Sequence, residues 1–181
     1  MPRDVTQAET RKPSILTPEL RRPTPADGAQ IWGLVRACAP LDENSMYCNL
    51  IQADHFRDTC VVAELDGEIV GWISGHMIPN SDVFFVWQVA VSPRARGLGL
   101  GKTMLKHLLS RDACAGAEAL KTTITKDNMA SWALFRSFAS AIGGRLHDAP
   151  HYQREAHFDG HHDTEHMVTI SLTEPALKKA A

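Results

Sequence analysis

The stretch RARGLGLGKTML, residues 94–105, restricts the fold of this chain more than any other segment. Three glycines alternate with leucines between a strand-like run, DVFFVWQVAVSP, and a run in which Met104, Leu105, Leu108 and Leu109 share one helical face. Glycine at that density removes side chains, so that a partner can approach the backbone. A loop that opens a helix also carries N–H groups with no intrahelical acceptor. Together with the helix dipole, these amides favour a phosphate or pyrophosphate.

Three phosphate-binding patterns compete for the loop. A Walker A loop needs G-x-x-x-x-G-K-[ST]; Gly101-Lys102-Thr103 supplies its end, but Arg96 stands where the opening glycine belongs. The dinucleotide pattern G-x-G-x-x-G fails in both frames, because Lys102 or Met104 occupies its last position. The pattern [QR]-x-x-G-x-[GA] is met in full by Arg96, Gly99 and Gly101, with Arg94 or Arg96 to add positive charge.

The rest of the chain reads as β α α β β β α β α β β. A short strand at LRRP leads into a helix for which Thr24, Pro25 and Asp27 form a box-like start, with Ile31, Trp32, Leu34, Val35 and Cys38 at helical spacing and Pro40 as its stop. A second helix begins at Asn44 or Ser45 and runs toward Phe56. TCVVAEL and EIVGWISGHMI are strands joined by an Asp66-Gly67 hairpin turn. ALKTTIT is a fifth strand, NMASWALFRSFASAIGG a helix stopped by a glycine pair, and 145–172 two strands around a polar, His-rich loop. Residues 1–18 and 174–181 read as flexible tails around one domain at 19–173.

In this context VAVSPRARGLGLGKTML resembles the coenzyme A motif of the GNAT N-acetyltransferases, including their V-x-P-x-x-R. The resemblance implies an α/β (α+β) fold: a central mixed, mostly antiparallel twisted sheet of about seven strands flanked by four helices. It implies acetyl-CoA as co-substrate, lying in a splay between the fourth and fifth strands. On the strand, the stretch from Val89 to Val91 would supply a backbone amide that polarises the thioester carbonyl; Arg94, Arg96, Gly97, Leu98, Gly99, Leu100, Gly101 and Lys102 would hold the coenzyme at the loop. Asn128 and Ser131 match family positions that face the coenzyme, and Asn128 also suits a helix cap. The chain departs from the family at Phe135, where many members carry a tyrosine that protonates the leaving thiolate. Coenzyme A can leave as a thiolate or take a proton from water.

The chemistry requires a neutral amine, and an alkylammonium with a pKa near 10.4 needs a base to become one. APLDENSMYCNL (39–50) and HHDTEHMVTISL (161–172) resemble segments of the 2,4-diaminobutyrate acetyltransferases of ectoine biosynthesis, and the likeness runs from about Leu20 to Leu172. It implies acetyl transfer to the N4 amine of L-2,4-diaminobutyrate. Asp42 would hold an ammonium, Tyr47 and Trp87 would line the pocket, and Glu165 would bind or deprotonate the reacting amine with His162 beside it. Plainer roles stand alongside: Asp42 as a turn residue, Tyr47 and Trp87 as core, Glu165 as a solvated loop residue and His162 as a neighbour of the site. Another small amine or polyamine as substrate, a non-catalytic acyl-CoA sensor and a P-loop hydrolase are the rival readings. The resemblance also implies a homodimer.

Composition excludes other classes. The 181 residues carry a formal net charge of −2, which offers a nucleic acid no electrostatic grip. No apolar run approaches the roughly 20 residues of a membrane span, and the first residues read as no secretory signal, so a cytoplasmic protein is expected. Cys38, Cys48, Cys60 and Cys114 lie too far apart for a zinc site and read as reduced thiols. Histidines at 147, 151, 157, 161, 162 and 166 include two i, i+4 pairs, but HHDTEH is not H-E-x-x-H, and no metal is expected.

Overall fold

The structure is a computed structural model that describes residues 17–39 and 41–172. The expected tails, apart from Thr17 and Pro18, lie outside the described residues. One seven-stranded sheet has the order β1-β2-β3-β4-β5-β7-β6. Its strands are β1 (Glu19–Arg21), β2 (Val61–Leu65), β3 (Glu68–Met77), β4 (Val83–Val91), β5 (Ala119–Thr125), β6 (Leu146–Tyr152) and β7 (Glu165–Ser171). Only β4 and β5 run parallel; every other neighbouring pair is antiparallel.

The local signals acted where expected. Asp66 and Gly67 take φ of 53° and 79°, the left-handed pair that a primed hairpin turn needs. Helix α1 (Gly28–Arg36) follows a single 3-10 turn at Pro25–Asp27, where the Asp27 carboxylate accepts from both the main-chain N–H and the hydroxyl of Thr24. That carboxylate also takes a two-pronged bond from Arg21, at 2.8 Å on each side, which holds it below the usual range. Helix α2 (Met46–His55) is capped by the Ser45 hydroxyl, which accepts from the Cys48 N–H. Trp32 departs from the expected core face of α1: it is half-buried, with the Arg36 guanidinium over its ring.

Helices α3 (Leu100–Leu109) and α4 (Met129–Ile142) cover one face of the sheet, and α1 with α2 covers the other. Met104, Leu105, Leu108 and Leu109 are buried in the first core, as the helical spacing required. Segment 145–172 holds an element that sequence did not suggest: a one-turn helix, α5 (Arg154–Phe158), between β6 and β7. It stops at Asp159 and Gly160, both at positive φ, so His157 and His161 do not share a helix.

The expected buried strand β4 is more irregular than its apolar sequence suggests. Val86 pairs with Gly75 and Gln88 with Ser74, so Trp87 is an extra residue, a β-bulge. The bulge inverts the faces. Phe84 and Val86 belong to the α3/α4 core, whereas Ala90 belongs to the α1 core. Trp87 is therefore 51% exposed in mid-strand.

Candidate active site

Pairing of β4 with β5 ends after three register positions, at Phe85 with Lys121. Beyond Phe85 the β5-facing edge of β4 has no strand partner among the described residues, and a cavity of about 510 Å³ opens there, walled by α4, the glycine loop and the segment just after α1. Gly97 and Gly99, at φ of 79° and 74°, turn the loop so that residues 97–102 precede the first bond of α3, Thr103 N–H to Gly99 O (3.1 Å). Gly101 serves a different end. A Cβ there would lie 3.1 Å from Leu134 Cδ1, so glycine lets α3 and α4 close together beneath the loop.

Of the residues expected at the coenzyme, Val89, Val91, Arg96, Gly97, Gly99 and Leu100 line this cavity. So do Gly101, Lys102, Asn128 and Ser131. Two do not. Arg94 lies outside it with its guanidinium 2.5 Å from Glu68, and Leu98 is 71% exposed and faces a smaller hollow beside Thr17 and Leu20. Arg94 sits in the 3-10 turn at Pro93–Ala95, where Glu68 of β3 draws its side chain away from the cavity. Arg96 turns back, and its Nε–H donates to Val91 O. Asn128 caps α4, its Oδ1 accepting from the Ser131 N–H at 3.1 Å, so the capping role and the lining role coexist. Phe135 is buried in the core and leaves no acid at the family's tyrosine position.

Asn128 also borders a second cavity of about 270 Å³, which contains His162. There the loop after α1 meets β7. His162 Nε2 lies 3.2 Å from Asp42 Oδ2 and 3.8 Å from Glu165 Oε1. Its Nδ1 donates to Asp163 O at 2.7 Å, so a proton on Nε2 makes an imidazolium between two carboxylates. The Asp163 carbonyl, then Asp42 and Glu165, raise the pKa of His162. Glu165 is raised as well, chiefly by burial; its side chain is 15% exposed, and Oε2 has no hydrogen-bond partner among the described residues. A carboxyl raised by burial, with an unpaired buried oxygen, has the character of a general base.

Asp42, His162 and Glu165 thus converge, although 120 residues separate Asp42 from His162. Tyr47, in the first turn of α2, is 71% exposed, and Trp87 packs edge-on against His76 at the bulge, so neither is core. The remaining histidines scatter. His166 is buried on the opposite side of β7 against Asp148, and His157 accepts from the Gln153 N–H. All four cysteines are free. No helix among the described residues is long and apolar enough to cross a membrane.

The model of the acetyltransferase (GNAT) family matches residues 29–139. The chain belongs to the GNAT family. Among its relatives, the L-2,4-diaminobutyric acid acetyltransferase of Vibrio parahaemolyticus serotype O3:K6 (strain RIMD 2210633) is 44% identical over 90% of this chain and 96% of its own length. That of Vibrio cholerae serotype O1 (strain ATCC 39315 / El Tor Inaba N16961) is 46% identical over 84% of this chain and 88% of its own. Among solved structures, the diaminobutyrate acetyltransferase EctA of Paenibacillus lautus, in complex with L-2,4-diaminobutyric acid and coenzyme A, superposes with a TM-score of 0.82 at 39% identity, covering 86% of this chain and 95% of that one. The GNAT fold accounts for the parallel β4–β5 pair and its splay within an otherwise antiparallel sheet.

Sequence reasoning missed Gln88, the buried side chain that ties β4 to the Asp42 loop. A signal existed: a glutamine within FFVWQVAV must find partners if that strand is buried.

Proposed function

We propose that this GNAT enzyme transfers the acetyl group of acetyl-CoA to the N4 amine of L-2,4-diaminobutyrate, giving N4-acetyl-L-2,4-diaminobutyrate, a step of ectoine biosynthesis. One observation carries the reading: the cavity at the α3 N-terminus and the cavity of His162 share Asn128, so a coenzyme site adjoins a pocket that has Asp127 and Asp163 in its wall and, at His162, meets the cluster of Asp42 and Glu165, a setting suited to a diamine. The names and coverage of the relatives support the same substrate.

In this reading the loop amides, with Arg96 and Lys102, hold the pyrophosphate. Asp42 holds one ammonium, and Tyr47 and Trp87 wall the pocket. Glu165 takes a proton from the reacting ammonium, with His162 keeping its charge balanced. The neutral nitrogen attacks the thioester carbon, the C–S bond breaks and the thiolate leaves; the proton that nitrogen sheds as the amide forms passes through water to the sulfur, because Phe135 offers none. No enzyme nucleophile or metal takes part. The enzyme acts in the cytoplasm as a homodimer without nucleic acid; the net charge of −2 and the largely exposed edge strand β6 support this.

A steady-state assay with acetyl-CoA and a panel of diaminobutyrate, ornithine, lysine and polyamines tests the reading. Diaminobutyrate is expected to have the highest kcat/KM. Turnover of another amine without diaminobutyrate refutes the substrate, and tight coenzyme binding with no transfer to any amine makes the protein a sensor.

A further inference from the structure

The loop at 41–45 carries Asp42 but has no regular structure of its own. The Asp42 side chain is 78% exposed, and its only hydrogen bond among the described residues is to His162, so nothing on the side chain itself fixes its place from below. The loop is instead held through its backbone. Gln88 is 7% exposed. Its Nε2–H donates to Asp42 O at 2.8 Å, and its Oε1 accepts from Asn44 Nδ2–H at 3.3 Å. One buried amide therefore satisfies both of its ends on two residues of the same loop.

The origin of that amide matters. Gln88 directly follows the bulged Trp87, and the bulge inverts the strand there. In a regular strand the alternation of faces would continue from Phe84 and Val86, and residue 88 would point into the α3/α4 core. The bulge sends it instead to the loop between α1 and α2. The same irregularity exposes Trp87 and anchors Asp42, so both are referenced to the strand that borders the coenzyme cavity.

We infer that Gln88 is a positioning residue for substrate binding: its amide clamps the main chain of Asp42 to the bulge of β4 and so aims the Asp42 carboxylate at His162 and Glu165. The inference rests on the proposed diamine site. Gln88 itself lines neither the coenzyme cavity nor the cavity of His162.

The test uses Gln88→Met, which keeps the volume and removes both polar ends, with Asn44→Ala as a second variant that leaves the strand untouched. Gln88→Met is expected to raise KM for diaminobutyrate about tenfold, with kcat little changed, and Asn44→Ala to raise it less than about threefold. In an Asp42→Ala background Gln88→Met should add nothing, because the group it aims is gone. An independent readout needs no substrate. The NMR titration of His162, whose neighbours are Asp42, Glu165, Asp127 and the Asp163 carbonyl, should move to lower pH in Gln88→Met, and in the same direction in Asp42→Asn. A KM penalty that persists in full without Asp42, or a His162 midpoint that stays in place, overturns the inference. Should the wild type fail to acetylate diaminobutyrate, the substrate reading falls while the titration still decides the role of Gln88.

Discussion

Glu165→Gln is the most informative single change, because it separates proton transfer from everything else at the site. The substitution keeps the shape of the side chain and removes its charge and basicity. A free alkylammonium has a pKa near 10.4, so at pH 7.4 about one amine in a thousand is neutral. An enzyme without its base can still use that fraction, so the loss in kcat/KM at pH 7.4 should lie between about a hundredfold and a thousandfold, within the usual range for general base catalysis. The loss should shrink about tenfold for each pH unit gained, as solvent takes over the deprotonation. In the wild type the acid limb should fall above the ordinary glutamate value of 4.5, since burial raises Glu165, and this limb should vanish in the variant. Stability carries the opposite sign. A carboxyl whose folded pKa is raised contributes stability below its unfolded pKa and loses it as pH rises through the folded value, so at neutral pH the ionised Glu165 weakens the fold. Glu165→Gln should therefore raise Tm at pH 7–8 while lowering turnover. The assays are kcat/KM for the amine from pH 6 to 10, coenzyme A affinity by calorimetry, and thermal melts. An unchanged pH–rate profile, or a loss of coenzyme affinity as large as the loss of turnover, would refute the base assignment.

The two arginines of the glycine loop should behave differently. Arg94→Ala should leave coenzyme A affinity within about twofold, because its guanidinium is engaged by Glu68 outside the cavity. Arg96→Ala should weaken it about five- to tenfold at low salt, less at high salt, as measured by titration at two ionic strengths. Gly99→Ala places a side chain at φ 74° and should cost about 1–2 kcal/mol in chemical denaturation, with a further drop in coenzyme affinity as the loop amides lose their aim. Gly101→Val should cost a comparable amount by a different route, about 1–3 kcal/mol, through the contact of α3 with Leu134, and would not respond to added coenzyme as strongly as the wild type in a thermal shift.

Most of the fold was written into local sequence signals. Helix starts at Thr24–Asp27, Ser45 and Asn128, the Asp66-Gly67 turn and the stop at Gly143 are short-range chemistry, in which a few adjacent residues satisfy one another's backbone groups. The glycine loop was legible for the same reason, since positive φ at Gly97 and Gly99 and free amides at a helix start need no distant partner. Even the acid-lined segments could be singled out by residue type. Tertiary structure decided the rest. Whether Arg94 or Arg96 faces the coenzyme depends on Glu68, which lies on another strand. The meeting of Asp42 with His162 and Glu165 depends on how the sheet brings the loop after α1 over β7. The bulge at Trp87, which aims Gln88 at that loop, is a matter of pairing with β3, and an apolar strand read alone carries no register. Local periodicity names the elements, but only their packing fixes which polar groups are buried together, and it is burial that raises the pKa of Glu165.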